Sequence, residues 1–351
     1  MAMASGGVGE RMKVVLTWYA REDEVRQIRA ALPAGTTVFA PPERPHLSRF
    51  ETAHEDLARE ARDADAMMGW VLPPGILEVS DRLRALVWLH AGCDELDFAT
   101  LKRRGVRVAN ARGANAIAVA EHAMALVLGL AKKLLLKHQA VLEARWTPGW
   151  DPQYAGVLLE GKTLAVVGLG QIGSAVAKRA KGFDMRVLAV RRHPERGGSP
   201  HVDAVHGRGD LHGVLGQADV VVLATPITRE TTAMIDDAAL AAMRPTASLI
   251  NVARGNLVLE RALYAALTEG RLSGYAADVW WHYEHALPAT YHFPIPSRTG
   301  VQRLPNVLAT GNQGSHTPEI RDRCLALGTE SLAAFARGEA MPRTIDLDLG
   351  Y

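Results

Sequence analysis

The stretch Leu164-Ala165-Val166-Val167-Gly168-Leu169-Gly170-Gln171-Ile172-Gly173 decides the fold. Four consecutive apolar residues stopped by glycine are too few for a helix and read as a strand buried on both faces. Apolar residues then recur at Ile172, Val176 and Ala180, the spacing of one helical face, and Gly182 closes the helix. Strand, GxGxxG turn and helix in that order make a dinucleotide-binding unit. The first glycine permits the tight turn, the second lets backbone approach the pyrophosphate, and the third lets helix and strand pack closely, with phosphate at the helix N-terminus. Gly168, Gly170, Gln171, Ile172 and Gly173 are therefore the candidate cofactor-binding residues.

Downstream, Arg186 to Val190 is the next strand, and it ends in Arg191 and Arg192, 18 and 19 positions past Gly173. An acid about 20 residues past the glycines would accept the ribose 2′-hydroxyl of NAD. Paired guanidiniums instead attract a doubly charged 2′-phosphate, so the expected cofactor is NADP, with NAD the alternative. The competing reading is two exposed arginines at a strand end. Val220–Leu223, a helix near 236–243, Ser248–Val252, a helix near 260–269 and Tyr275–Val279 continue the alternation, giving about five strands after Gly161. Residues 282–303, with three prolines and no period, read as a long loop, and a final helix spans about 318–337.

Upstream, residues 1–10 form a small, Gly-rich tail, and Val14–Trp18 is the first strand. Runs at 66–70 and 86–89 alternate with helical stretches at 51–62 and 97–104, which implies a second parallel sheet with helices on both faces. From Ala116 to Ala144 the apolar residues are too many for a narrow stripe, predicting one or two long, mostly buried helices.

Composition sets the bounds. A chain of 351 residues suffices for two domains with real cores. Lys plus Arg at 40 against Asp plus Glu at 38 leaves no positive field to drive nucleic-acid or anionic-membrane binding, so the expected partner is a small molecule. The two cysteines, Cys93 and Cys324, lack metal-ligand spacing and fit a reducing compartment, the cytoplasm. No run approaches the roughly 18 apolar residues of a membrane span.

Several blocks together are more specific than the glycine turn alone. Ala91-Gly92-Cys93-Asp94-Glu95-Leu96-Asp97, Asn115 with Val119-Ala120-Glu121-His122, Thr225-Pro226-Ile227-Thr228, Asn251-Val252-Ala253-Arg254-Gly255 and Gly274-Tyr275-Ala276-Ala277-Asp278-Val279 follow in order. Over about Leu86 to Leu332 the chain resembles the D-2-hydroxyacid dehydrogenase family, which includes formate, glycerate, phosphoglycerate and phosphite dehydrogenases. The resemblance implies two Rossmann-like or flavodoxin-like, doubly wound α/β domains: residues 1–115 with 318–351 for substrate, 116–317 for nucleotide, and the active site in the cleft. It implies hydride transfer between the nicotinamide and C2 of a 2-oxo acid or D-2-hydroxy acid. Arg254 matches the family's carboxylate clamp, a role that suits a guanidinium able to make two parallel hydrogen bonds. Gly92 and Asn115 match substrate-touching positions, and Thr225, Pro226, Ala253 and Asp278 match positions lining the nicotinamide. Cys93 reads as packing. Trp280 and Trp281 either wall the pocket or fill the core. A homodimer formed through the 116–150 helices is the family's expectation.

Two catalytic positions depart from the pattern, which marks the chain as an atypical member. Asn312 stands where the family's histidine protonates the nascent alkoxide, and an amide can donate a hydrogen bond but not a proton near neutral pH. His316, four residues on, is the nearest substitute, unless it is a helix-start residue facing solvent. His282, His285 and His292 are further candidates, although their HxxH spacing lacks a third ligand and no metal site is expected. The family's acid falls at Tyr283, with Glu284 one position later as the preferred candidate. The long loop and the paired tryptophans suggest a bulky or anionic substrate. The alternatives are altered chemistry of formate or phosphite type, and a non-catalytic nucleotide-sensing scaffold.

Overall fold

The computed structural model describes residues 12–45, 48–50, 52–145, 149–282 and 295–351. They fall into two compact units, one holding residues up to Ala114 together with Pro318–Tyr351, the other the described residues between Asn115 and Thr317.

The first unit runs β1 (Lys13–Leu16), α1 (Glu22–Ala30), β2 (Thr37–Phe39), α2 (His54–Ala61), β3 (Ala66–Gly69), β4 (Ala85–Trp88), α3 (Phe98–Arg103) and β5 (Arg107–Asn110). Its five parallel strands are ordered β2-β1-β3-β4-β5, the flavodoxin-like order. Alternate residues of each strand enter opposite cores: Val15, Met67 and Leu86 meet α2 and α3 on one face, and Val14, Met68 and Val87 meet α1 on the other.

The second unit begins with α4 (Ala116–Ala131) and α5 (Leu134–Leu142). It continues through β6 (Thr163–Val167), α6 (Gln171–Lys181), β7 (Arg186–Val190), β8 (Ala204–His206), α7 (Leu211–Leu215), β9 (Val220–Leu223), α8 (Asp237–Ala242), β10 (Ser248–Asn251), α9 (Glu260–Thr268), β11 (Gly274–Ala277) and β12 (Val307–Ala309). The sheet is parallel, ordered β12-β11-β10-β9-β6-β7-β8, a Rossmann arrangement. Leu164 and Val166 face α4 and α6, whereas Ala165 and Val167 face α7, α8 and α9. Burial on both faces is the reason these strands are continuous apolar runs.

The chain then returns to the first unit as α10 (Pro318–Ala336), whose Leu325, Leu332 and Phe335 cover the Val14 face of that sheet. Gly328 lets it approach closely, since a Cβ there would stand 2.3 Å from Leu89 Cδ2.

Three expectations need correction. The sheet after Gly161 has seven strands, not about five, because β8 and β12 join its edges. The 116–144 segment is two helices of unlike character: eight residues of α4 are buried, but only Ala140 of α5. The stretch 282–303 is not all loop, since Val301–Arg303 forms a 3-10 turn.

Candidate active site

The second unit gathers its candidate residues along the carboxyl edge of one parallel sheet. The glycine turn follows β6, next to β9, where strand order reverses and open α/β sheets bind ligands. Gly168 has φ +105°, and a Cβ on it would sit 2.5 Å from the Ala224 carbonyl oxygen. A Cβ on Gly173 would fall 2.0 Å from the Gly168 carbonyl oxygen and 2.8 Å from Val166. At Gly170 the corresponding space is open. Those two contacts make the tight turn and close packing depend on glycine, and the open face fits a pyrophosphate over the start of α6. Gln171 opens α6 exposed, while Ile172 packs against the buried face.

At the end of β7 the two arginines part. Arg191 Nη1 donates to the Gly197 carbonyl at 2.8 Å, whereas Arg192 Nη2 lies 3.5 Å from Glu230 Oε1. After β9, Thr225 is half-buried and Pro226 exposed, and the Pro226 carbonyl accepts from Thr231 Oγ1 at 2.8 Å.

After β10, Asn251 fixes a tight turn: its Nδ2 donates to the Arg254 carbonyl at 2.9 Å, and its Oδ1 accepts from Ala253 N–H at 3.1 Å. Arg254 is half-buried, and its Nη1 donates to the Ala253 carbonyl at 2.9 Å. Gly255 seals the turn, since a Cβ there would come within 2.4 Å of the Trp280 backbone.

Asp278, just past β11, organises the remaining loop. Its Oδ1 accepts from Thr310 Oγ1 at 2.7 Å and Gln313 N–H at 3.2 Å, and its Oδ2 from Gly314 N–H at 2.8 Å. His122, on α4, places Nε2 2.9 Å from Thr310 Oγ1 and 3.4 Å from Asp278 Oδ1. Burial pushes the Asp278 carboxyl up, but the hydrogen bonds from His122, Thr310 and the Gly314 and Gln313 amides outweigh it and hold the group below its ordinary range. An ionised carboxylate only accepts, so Thr310 gives it the hydroxyl proton and must accept from Nε2–H of His122.

The loop so stapled presents Asn312. Its N–H donates to the Asp278 carbonyl at 2.6 Å, and its φ of +56° is one that asparagine tolerates. Both Asn312 and His316 are exposed, and the His316 N–H donates to the Gln313 carbonyl at 2.9 Å. His282 Nε2 lies 3.4 Å from Glu260 Oε2, whose carboxylate also accepts from Ser297 and Thr299 on its other oxygen. Tyr283, Glu284, His285 and His292 lie outside the described residues. Trp280 and Trp281 are committed to packing: they contact Tyr275, and their indole N–H groups donate to the carbonyls of Thr310 and Val258 at 2.7 Å. Asn115 caps α4.

In the first unit, Gly92 follows β4, and its carbonyl accepts from Trp88 Nε1 at 3.0 Å. Cys93 is buried in that unit's core. Among the described residues no three His, Cys, Asp or Glu side chains gather as metal ligands, and no helix is long and apolar enough to cross a membrane.

Residues 124–314 match the family model described as D-isomer specific 2-hydroxyacid dehydrogenase, NAD binding domain. A glyoxylate reductase from Pyrococcus furiosus is 34% identical over 306 residues, covering 85% of this chain and 87% of that one. One from Korarchaeum cryptofilum is 32% identical over 302 residues, covering 84% and 86%. In fold, the chain is similar to an NADPH-dependent glyoxylate/hydroxypyruvate reductase from Sinorhizobium meliloti, solved with NADP and malonate. The TM-score is 0.73 at 22% identity, covering 96% of this chain and 98% of that one. The chain belongs to the D-2-hydroxyacid dehydrogenase family. It is an NAD(P)-dependent oxidoreductase built on that family's two-domain parallel α/β fold.

Proposed function

We propose that the protein is an NADP-preferring reductase of a small 2-oxo acid, glyoxylate or a close analogue. The observation that carries this reading is the carboxyl edge of the seven-stranded sheet. It presents the glycine turn after β6, Arg192 after β7 and Arg254 after β10. Strands lie about 4.8 Å apart, so β10 stands roughly 10 Å from β6, a span suited to a nucleotide held at one end and a carboxylate at the other. The activity carried by the curated relatives supports the substrate class.

Bound NADPH supplies the hydride for C2 of the substrate. Gly168, Gly170 and Gly173 with the first turn of α6 hold the pyrophosphate, and of the pair Arg191 and Arg192 at the end of β7 it is Arg192 that holds the 2′-phosphate, Arg191 being bonded to Gly197. Thr225, Pro226, Ala253 and Asp278 line the nicotinamide side. Arg254 binds the substrate carboxylate bidentately and polarises the adjacent carbonyl, and Asn115 and, separately in the first unit, Gly92 are further substrate-binding candidates. Asn312 donates a hydrogen bond to the oxygen that becomes the alkoxide, and His316 delivers its proton, with Glu284 as the acid that supports it. Residues 1–115 with 318–351 form the substrate domain, and 116–317 the nucleotide domain. The exposed Leu134, Leu135, Val141, Leu142 and Trp150 support a homodimer. Two buried free cysteines suit a cytoplasmic setting.

NADPH oxidation across glyoxylate, hydroxypyruvate, and aromatic and phosphonate-bearing 2-oxo acids, with Arg254→Ala alongside, tests this reading. Turnover of a small 2-oxo acid that falls about 10²-fold or more in the variant, with cofactor affinity nearly intact, is the expected result. Silence across the panel, or a variant of near-normal activity, sinks it.

A further inference from the structure

The anion site at the end of β7 is larger than the arginine pair visible in the sequence. β7 and β8 run side by side, Val190 opposite His206, and Arg191 N–H donates to the His206 carbonyl at 3.0 Å. Arg208, two residues past the end of β8, is thereby brought to the same edge as Arg192. Between them stands Glu230, from the loop after β9. Its Oε2 is 2.6 Å from Arg208 Nη1, its carbonyl oxygen 2.6 Å from Arg208 Nη2, and its Oε1 3.5 Å from Arg192 Nη2. Arg191 is turned elsewhere, to Gly197. The guanidiniums that share a point in space are therefore Arg192 and Arg208.

We propose that Arg208 is a cofactor-specificity residue, a cation paired with Arg192 for the 2′-phosphate. Glu230 is the internal carboxylate that holds both guanidiniums in place and yields them when the phosphate arrives. The inference rests on the NADP reading above and assigns two residues to it. The three side chains are all partly exposed, 38% for each arginine and 50% for Glu230, so the ion pairs are weakly held and readily exchanged. A phosphate dianion offers three acceptor oxygens and twice the charge of a carboxylate, and it matches two guanidinium forks better than Glu230 does. NADH brings no such anion and leaves Glu230 with its arginines.

The test is fluorescence titration of the full chain with NADPH and NADH, with 2′,5′-ADP against 5′-ADP as probes of the phosphate alone. Wild type, Arg191→Ala/Arg192→Ala, Arg192→Ala, Arg208→Ala, Arg208→Lys and Glu230→Gln are compared, each checked for folding by its urea midpoint. Arg208→Ala should weaken NADPH and 2′,5′-ADP about tenfold, the loss of one charge-assisted hydrogen bond, and leave NADH and 5′-ADP within about twofold. Arg208→Lys, which keeps the charge, should recover part of that loss should the alanine variant not fold. Glu230→Gln removes the competing charge and should tighten NADPH severalfold without moving NADH.

Arg208→Ala and Arg208→Lys both within about twofold of wild type for NADPH, while Arg192→Ala costs tenfold, would overturn this inference and leave the NADP reading standing. A weakened Glu230→Gln would overturn the exchange role. A wild type with no preference for NADPH, and a double variant that weakens both cofactors equally, would instead overturn the reading beneath it.

Discussion

Asp278 is a buried carboxylate that staples a loop, and its hydrogen-bond donors come from two places in the chain, His122 on α4 and the loop from Thr310 to Gly314. Exchange of one oxygen for an amide in Asp278→Asn sets a donor against the N–H groups of Gly314 and Gln313 or the Thr310 hydroxyl. An unmatched buried donor costs about 1–3 kcal/mol, and urea unfolding at pH 7 should show a loss of that size. The pH dependence has a definite sign. A folded pKa held below the unfolded value of about 3.9 contributes stability that is complete above that value and is lost as pH falls through the folded one. The gap between wild type and Asp278→Asn should therefore narrow below about pH 4. A gap that widens in acid would contradict the assignment. At Asn312 the puzzle is chemical: with His316 as the donor, His316→Ala should lower the rate of 2-oxo acid reduction about 10²-fold or more. An unchanged rate passes the role to another group. The sequence exposes the glycine turn, Arg191, Arg192 and Arg254, because each follows a strand that reads as an apolar run. It does not expose the His122–Thr310 contact, although both residues stand in recognisable blocks, since 188 positions separate them. Nor does it expose Arg208 and Glu230, which meet only once β8 and β9 have taken their places.

Elements show the same division. β6, β9 and β10 are legible because sheet interior and covering helices bury both faces, leaving runs such as Val220-Val221-Val222-Leu223. β8 and β12 are edge strands of three residues each, no residue of either is fully buried, and so short a stretch shows no period. α5 shows the opposite failure: its apolar residues predict burial, yet Leu135 and Val141 are 58% and 68% exposed, which is what a covering partner subunit would require. In Leu135→Glu/Leu142→Glu, sedimentation should find a monomer if that partner is a second copy; an unchanged mass would reject the homodimer. For α6 the prediction concerns Gly173→Ala. The added methyl meets backbone at 2.0 Å, so helix and strand must separate. A loss of about 1–3 kcal/mol in thermal unfolding, with nucleotide binding abolished, is expected. Normal NADPH affinity in a folded variant would mean that the turn does not cradle the pyrophosphate.

For the whole molecule, the main fact hidden from local patterns is the return of α10 to the first unit. Helical periodicity identifies the helix, but nothing in it says which sheet it covers. Ile345 then donates its N–H to the Val108 carbonyl at 2.8 Å, and Ala109 forms a bridge with Thr344. The first unit is thus tied at both ends of the sequence. Deletion of residues 318–351 should expose the Val14, Met68 and Val87 face, and limited proteolysis should then cut the first unit throughout while the nucleotide unit resists. Equal resistance of both would show that the first sheet stands without its last helix.

That arrangement has a consequence for the making of the chain. All five strands of the first sheet have been synthesised by Asn110, but α10, which shares their Val14 face with α1, begins only at Pro318. At about 5–20 residues per second, roughly 10–40 s of translation separate the two. Throughout that interval α1 alone covers that apolar face while the seven-stranded sheet emerges behind it. The growing chain therefore presents a half-covered five-stranded sheet until its last helix has been made.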